Sequence, residues 1–204
     1  MINYKGYVGI SERYYTYGAN MLHKLVANAG LTPSTKVLDI GCGTLRLGRN
    51  LIPFLDPGNY HGIEPAKRWL DAGIKYELTE AMADLKQPTF YHNPDFEVPE
   101  GLSFDLILAL QVFIHCSPRQ LKQCLSNVQK YLAKGGIFVL HINFSSEDEE
   151  IPYEVNRRYE FSDNKSTFYN EETLDKILSE HGFKRTDCLN MSKVGLGLHK
   201  VERA

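Results

Sequence analysis

The sequence predicts an α/β protein with a doubly wound, Rossmann-like sheet that is mostly parallel and has an antiparallel last strand. Three observations support this fold class. Short apolar runs alternate with segments of helical periodicity along the 204 residues, as expected for successive βα units. A turn that contains two glycines follows the first apolar run. The last two apolar runs have no helical segment between them, so their strands should pair as antiparallel neighbours.

The first half of the chain contains three predicted strands with helical segments between them. A helix can begin at Ser11-Glu12, because apolar residues follow at helical spacing, and Thr32-Pro33-Ser34 should end it. The predicted elements are, in order, a helix from Ser11, a strand over 36–40, a helical segment after the glycine turn, a strand over 60–63, a helix over 66–76 and a strand over 88–92.

The second half of the chain adds buried strands and one clearly marked helix. Residues 106–110 are apolar without alternation, which is typical of a strand covered on both faces. Residues 117–120 form a capping box with Pro118 at the first helical position, and Gly135-Gly136 should end that helix. The remaining predicted elements are a strand over 137–141, a helix from Asn170 to Gly182, and short strands over 183–186 and 196–201.

The turn after the first strand is the strongest functional signal. Residues 37–43 read Val-Leu-Asp-Ile-Gly-Cys-Gly, so the apolar run ends at Asp39 and is followed by Gly41 and Gly43. Glu64 ends the second apolar run about 20 residues further on, where nucleotide-binding sheets carry an acid for the ribose hydroxyls. This spacing predicts a ligand that contains a ribose.

Two phosphate-binding motifs share part of this pattern. The dinucleotide fingerprint G-x-G-x-x-G fits at Gly41 and Gly43, but Arg46 stands at its third glycine. The phosphate loop G-x-x-x-x-G-K-[ST] fits at Gly43 and Gly48, but Arg49 replaces its lysine. A ligand without a pyrophosphate therefore fits better, and an NAD-dependent oxidoreductase is the alternative.

Three segments of the chain resemble class I S-adenosylmethionine-dependent methyltransferases. Residues 37–44 are similar to the first motif of that family, residues 104–115 to its fourth strand, and residues 132–140 to its fifth strand with the preceding Gly-Gly. The resemblance implies the seven-stranded, three-layer αβα fold of the family. It also implies S-adenosyl-L-methionine as cofactor and S-adenosyl-L-homocysteine as product.

The resemblance further implies which residues bind this cofactor. Glu64 is expected to bind the ribose, Asp39 to orient the turn or meet the ammonium group, and Arg46 to pair with the methionyl carboxylate. Cys42 is expected to fit the turn as a small residue. The residues assigned to cofactor binding are Asp39, Gly41, Cys42, Gly43, Arg46, Glu64, Asn93, Asp95, Phe96 and Gln111. The alternatives are a helix-capping role for Asp39, solvated side chains at 46 and 64, and a simple polar turn at 93–96.

Catalysis and acceptor binding are assigned to other parts of the chain. His115 follows the predicted fourth strand and is the candidate general base, because imidazole accepts protons near neutral pH. A structural histidine is the alternative. The residues assigned to acceptor binding are Tyr14 and Tyr17 near the N-terminus, and Arg157 and Arg158 in the long connection 143–170. For the tyrosines, packing against the sheet is the alternative.

Composition argues against several classes of protein. A formal net charge of −2 provides no basic surface for nucleic acid or an anionic membrane. The N-terminus lacks the apolar segment of a signal peptide, and no run reaches the ~20 apolar residues of a membrane span. The four cysteines form no C-x-x-C pair and no zinc-binding set, so buried thiols in a cytoplasmic protein are expected.

The sequence therefore predicts a metal-independent methyltransferase that acts on a small molecule or a glycan-like acceptor. The alternatives are an NAD-dependent oxidoreductase and a methyltransferase-like protein that binds cofactor without transferring a methyl group. We expect one domain over 1–204. Its segments would be an N-terminal helical cap or lid (1–34), a cofactor-binding core (35–142), an acceptor-side insertion (143–170), and a C-terminal helix with a strand pair (171–204).

Overall fold

The computed structural model of this chain describes residues 3–152, 165–188 and 196–204. The chain divides into two compact units, Met1–Pro94 and Asp95–Ala204. The single domain with four segments that the sequence predicts stays a prediction.

The first unit is built on three parallel strands with helices between them. Its described elements are α1 (Tyr4–Tyr7), a 3-10 turn (Ser11–Arg13), α2 (Tyr14–Ala29), β1 (Val37–Ile40), α3 (Gly48–Phe54), β2 (Tyr60–Ile63), α4 (Lys67–Glu77), α5 (Glu80–Lys86) and β3 (Thr89–Tyr91). Strand β2 lies between β1 and β3, with Asp39 opposite Gly62. Each predicted strand of this half is present, and the short helices α1 and α5 were not predicted.

The strands of the first unit form where the sequence is apolar without alternation. All four residues of β1 and all four of β2 are buried, as expected for a parallel sheet covered on both faces. Helix α2 ends at Ala29 and is capped by Gly30, which has a left-handed backbone (φ 67°) and whose N–H donates to the Leu25 carbonyl. The parallel pairing of β1 with β2 brings their C-terminal ends together, where Asp39 and Glu64 lie.

The second unit is organised around one long strand. Its described elements are β4 (Phe104–Ala109), α6 (Pro118–Tyr131), β5 (Leu132–Phe144), β6 (Glu149–Pro152), β7 (Lys165–Tyr169), α7 (Glu171–Glu180), β8 (Phe183–Cys188) and β9 (Leu196–Arg203). Strand β5 pairs in parallel with β4 and β7 and antiparallel with β9. Strands β8 and β9 pair antiparallel, so the predicted mostly parallel sheet with an antiparallel last strand is confirmed.

Helix α6 begins as predicted but ends earlier than the glycine pair. The Ser117 N–H donates to the Gln120 side chain at 3.2 Å, which closes the capping box. The helix ends at Tyr131, and Leu132 already pairs with Phe104 in the sheet. The prediction that Gly135-Gly136 ends the helix was therefore wrong. Gly135 instead takes a left-handed conformation (φ 77°) inside β5, where the register with β4 shifts.

The connection 143–170 contains two strands that the sequence did not predict. Strands β6 and β7 form an antiparallel pair, and β7 adds to the edge of β5. Arg157 and Arg158, which were assigned to the acceptor, lie outside the described residues. Within the described part of the chain, no helix is long and apolar enough to cross a membrane.

Candidate cofactor-binding site

The glycine turn of the first unit uses its backbone N–H groups internally. Gly41 and Gly43 both have left-handed backbones, with φ of 70° and 58°. The N–H groups of Gly41 and Cys42 donate to the Ile63 carbonyl at 2.8 and 3.0 Å. The Gly43 N–H donates to Glu64 Oε2 at 3.0 Å. The amide groups that a phosphate would need at this turn are therefore engaged, and a carboxylate lies beside them.

This arrangement distinguishes the turn from a pyrophosphate cradle. Phosphate sites of the dinucleotide and phosphate-loop type present N–H groups and a helix N-terminus to the anion. Here the three consecutive amides already have acceptors, and α3 begins only at Gly48. A buried carboxylate next to the turn would also repel a phosphate. The geometry therefore disfavours the dinucleotide alternative.

Glu64 directly follows β2 and is only 4% exposed. Its Oε1 accepts from the Ala66 N–H at 2.9 Å and from the Tyr7 hydroxyl at 3.3 Å, while Oε2 accepts from Gly43. Burial raises the pKa of this carboxyl to about 7, although the three hydrogen bonds act in the opposite direction. A buried acid with a strongly raised pKa is a frequent feature of functional sites.

Asp39 is the second buried acid of the turn and is also 4% exposed. It accepts a hydrogen bond from the Tyr60 hydroxyl at 2.9 Å. Burial raises its pKa to about 7, while Tyr60 and the positive charge of Arg46 lower it and the charge of Glu64 raises it. The two acids thus belong to one electrostatic cluster that favours a positively charged or hydroxyl-bearing ligand.

Arg46 takes the position where a dinucleotide fingerprint has glycine, and its guanidinium lies 3.8 Å from the ring centre of Tyr17. The Tyr17 hydroxyl is buried and has no hydrogen-bond partner among the described residues. A cation and a spare hydroxyl donor side by side are suited to a carboxylate. The set of two acids, one guanidinium and one hydroxyl therefore fits a ligand with ribose, ammonium and carboxylate groups.

Close helix approach at the turn depends on glycines outside the motif. Gly18 of α2 lies against the Arg46 carbonyl, and Gly73 of α4 lies against the Thr44 backbone; a Cβ at either position would collide. Tyr14 is fully buried and its hydroxyl donates to the Thr44 carbonyl at 2.5 Å. This position gives Tyr14 a supporting role beneath the turn and disagrees with its assignment to the acceptor, because a fully buried ring offers no free surface.

The segment before α2 covers the same turn. The Tyr7 ring stacks on Trp69 of α4 with ring centres 4.7 Å apart. A Cβ on Gly43 would collide with the Val8 side chain, so Val8 lies directly on the face of that glycine. Cys42 is buried against Gly62. A Cβ on Gly62 would lie only 2.9 Å from Cys42 Sγ, so glycine at position 62 leaves room for this sulfur.

The remaining cofactor assignments lie beyond β3 and β4. Asn93 is half-buried after β3 in the first unit. In the second unit, Asp95 is exposed and accepts from the Gln123 side chain at 3.1 Å, and Phe96 is buried with its ring 5.9 Å from Phe113. Gln111 follows β4 with a left-handed backbone (φ 60°), an unusual conformation for a residue with a side chain.

His115, the candidate base, is half-buried in the turn after β4. The backbone N–H of His115 donates to the Val112 carbonyl at 2.9 Å. Thr167 of β7 fixes the same turn: its N–H donates to Ile114 at 3.3 Å and its hydroxyl to Cys116 at 2.7 Å, both to carbonyl oxygens. The unpredicted strand β7 therefore supports the loop that carries His115. In the described ranges, no three histidine, cysteine or acidic side chains converge on a metal-binding point.

Comparison with known proteins supports the same family. The family described as a methyltransferase domain matches residues 38–138. Sterol 24-C-methyltransferases are similar in sequence: the protein of Debaryomyces hansenii is 28% identical over 193 residues, which cover 85% of this chain and 48% of that protein. The protein of Candida albicans is 27% identical over 79% of this chain and 43% of its own length. The chain thus spans about half the length of these relatives.

Solved structures with the same fold include methyltransferases with bound cofactor. The magnesium protoporphyrin IX methyltransferase of Synechocystis, solved with S-adenosylmethionine, superimposes with a TM-score of 0.67 at 17% identity, covering 100% of this chain and 86% of that one. An S-adenosylmethionine-dependent methyltransferase of Clostridium acetobutylicum gives a TM-score of 0.67 at 18% identity, covering 93% and 92%. The expected fold is confirmed. Residues 38–138 of this chain belong to the family described as a methyltransferase domain, and the fold is that of S-adenosylmethionine-dependent methyltransferases.

Proposed function

We propose that this chain binds S-adenosylmethionine at the glycine turn of its first unit and transfers the methyl group to a small-molecule or glycan-like acceptor without a divalent metal. The observation that carries the proposal is the pair of buried acids, Asp39 and Glu64, beside a turn whose amides are already hydrogen-bonded. Such a site suits a ribose and an ammonium group better than a pyrophosphate. The cofactor would supply a methyl group on a sulfonium, which already carries the driving force for transfer.

Each residue of the turn is proposed to bind a different group of the cofactor. Glu64 accepts from the ribose hydroxyls, and Asp39 faces the ammonium group, for which its charge is matched. Arg46 and the Tyr17 hydroxyl hold the methionyl carboxylate. Cys42 and the two glycines form the floor of the turn. Asn93, Asp95 and Phe96 keep their proposed place at the adenine, and Gln111 its place near the transferred methyl group.

Methyl transfer by this chain would depend mainly on the alignment of the acceptor atom with the methyl group of the cofactor. Displacement at a sulfonium methyl needs an acceptor atom in line with the leaving sulfur and a site without water. A base is needed only where the acceptor must lose a proton, and His115 is the residue proposed for that task. No divalent metal is part of the proposal, because Gln111 and His115 follow the fourth strand in place of a carboxylate-rich metal motif.

The acceptor is proposed at the level of a class. The names of the relatives and structural neighbours refer to a sterol carbon, a glycopeptide nitrogen, a mitomycin oxygen and a porphyrin. All of these are organic molecules of small or moderate size, and the net charge of −2 gives no support for a nucleic-acid acceptor. Arg157 and Arg158 are proposed to meet the acceptor, whereas Tyr17, which the sequence assigned to the acceptor, is proposed to bind the methionyl carboxylate of the cofactor. A cytoplasmic location is proposed from the four cysteines, which form no secreted-type framework.

An assay with labelled cofactor distinguishes a methyltransferase from a cofactor-binding protein and from an oxidoreductase. Purified protein is incubated with methyl-labelled S-adenosylmethionine and a panel of sterol, amine, phenol and sugar acceptors, and the labelled products are separated. The proposal predicts label in at least one acceptor. Tight binding of the cofactor with no transfer to the panel or to a cell extract of metabolites would favour the alternative of a methyltransferase-like binding protein. Hydride transfer with NAD would favour the oxidoreductase.

A further inference from the structure

We propose that the segment 3–9, here called the N-terminal strap, gates the cofactor site and that Tyr7 is the residue through which it acts. The inference rests on the proposed function and concerns a step before methyl transfer: the strap must leave Glu64 and Gly43 before the cofactor can occupy them. Two independent contacts of the strap carry the argument. One is a hydrogen bond to the acid, and the other is a packing contact on the glycine.

The hydrogen bonds of Glu64 leave too few acceptor positions for a ribose. An ionised carboxylate has about four lone-pair positions. Three are taken, by the N–H groups of Ala66 and Gly43 and by the Tyr7 hydroxyl. Two adjacent ribose hydroxyls need two positions. The two N–H donors belong to the backbone and cannot turn away, so the Tyr7 hydroxyl is the donor that must be released.

Val8 blocks the second group that the cofactor needs. Glycine at position 43 permits close approach of a ligand because no side chain projects there. In this structure the Val8 side chain occupies that space, since a Cβ on Gly43 would collide with it. A cofactor lying along the turn and the strap therefore compete for the same surface of Gly43.

The contacts that hold the strap are ring stacking, hydrogen bonds and cation–π contacts, which are suited to reversible release. Helix α1 has only four residues. Tyr7 stacks on Trp69, and Tyr4 stacks on Tyr76 with ring centres 5.0 Å apart. The Tyr4 hydroxyl donates to Glu77 at 2.6 Å. Each such contact is weak by itself, so a ligand that binds the exposed site can displace them.

Gating by the strap has a measurable consequence for affinity. When only a fraction of the protein is open, the apparent dissociation constant exceeds the intrinsic one by the inverse of that fraction. Weakening the closed arrangement should therefore strengthen cofactor binding. Removing one hydroxyl from Tyr7 should lower the dissociation constant about three- to tenfold, the effect of one hydrogen bond on the closed arrangement.

Trp69 provides a direct readout of the strap because it is the only tryptophan in the chain. Wild type, Tyr7→Phe and Val8→Ala are titrated with S-adenosylhomocysteine by calorimetry and by tryptophan emission. The control is Tyr169→Phe, which removes a hydroxyl of the second unit that has no hydrogen-bond partner among the described residues. We expect tighter binding by both strap variants, unchanged binding by the control, and a change in Trp69 emission when wild type binds.

The outcomes separate this inference from the proposed function. If calorimetry shows no binding of S-adenosylhomocysteine to wild type, the proposed function fails and gating with it. If wild type binds but Trp69 emission stays constant and both strap variants bind as wild type does, gating is refuted while the proposed function stands. Weaker binding by Tyr7→Phe would also overturn gating, because it would mean that Tyr7 holds the bound cofactor. Val8→Ala keeps the Tyr7 hydroxyl and tests gating independently.

Discussion

Replacing Glu64 by glutamine should change how the stability of the protein depends on pH. Burial raises the pKa of this carboxyl from its ordinary value of 4.5 to about 7 in the folded protein. Between these two values the folded state holds a proton that the unfolded state has lost. The stabilisation from this group is therefore fully present below about pH 4.5 and is lost as the pH rises through about 7.

The size of the effect follows from the two pKa values. Between about pH 5 and about pH 8, ionisation of Glu64 should lower the free energy of unfolding of wild type by about 2–3 kcal/mol. Glutamine does not titrate and resembles the protonated acid in shape and in its one carbonyl acceptor. The free energy of unfolding of Glu64→Gln should therefore rise by about 2–3 kcal/mol relative to that of wild type over this range, whatever the absolute stabilities are.

Chemical denaturation at both pH values measures this difference. The control is Glu100→Gln, which changes an exposed acid and should keep a constant difference from wild type. A difference between Glu64→Gln and wild type that stays within about 0.5 kcal/mol across the range would refute the reasoning. It would mean that the three hydrogen bonds to Glu64 outweigh burial and keep the acid ionised throughout.

Three further predictions concern the chemistry and the strained backbone. If His115 is a general base, His115→Asn should lower turnover by ~10²–10⁴ and leave cofactor affinity unchanged. We expect alignment to matter more than a base, so Tyr17→Phe should lose more activity than His115→Asn in single-turnover assays. A larger loss in His115→Asn would contradict this expectation. Treatment with a chelator should leave the rate of methyl transfer unchanged, whereas a loss restored by magnesium would argue for a metal-dependent route. Gln111→Gly should raise the free energy of unfolding by about 1 kcal/mol, because glycine relieves the left-handed backbone; unchanged or lower stability in thermal unfolding would show that the Gln111 side chain offsets the strain.

The sequence predicted the main elements because their signals are local. Buried parallel strands appear as short apolar runs, and the capping box and the single apolar face of α6 predict that helix. Strands β6 and β7 gave no such signal, because edge strands of this kind alternate weakly and carry charges such as those of Glu149 and Glu150. The end of α6 was misplaced because the pairing of Leu132 with a distant strand overrides the glycine stop signal.

The candidate site was predictable only where it lies on one motif. Asp39, the glycines and Glu64 follow from their spacing along the chain. Tyr7 and Tyr60, which hydrogen-bond the two acids, lie 57 and 21 residues away from them. Gly18 and Gly73 act through the close approach of helices to the turn. Contacts of this kind depend on how elements pack, and no spacing rule within the chain reveals them.

Calorimetric titration with S-adenosylhomocysteine and with NAD tests the central claim, which is that the glycine turn of the first unit binds this cofactor. The account predicts binding of S-adenosylhomocysteine and no binding of NAD at comparable concentration. Glu64→Ala should weaken the binding roughly 30- to 150-fold, since the ribose loses hydrogen bonds to a charged group worth about 2–3 kcal/mol. The Glu100→Gln protein should bind as wild type does. Binding of NAD alone, or unchanged affinity in a folded Glu64→Ala protein, would contradict the account.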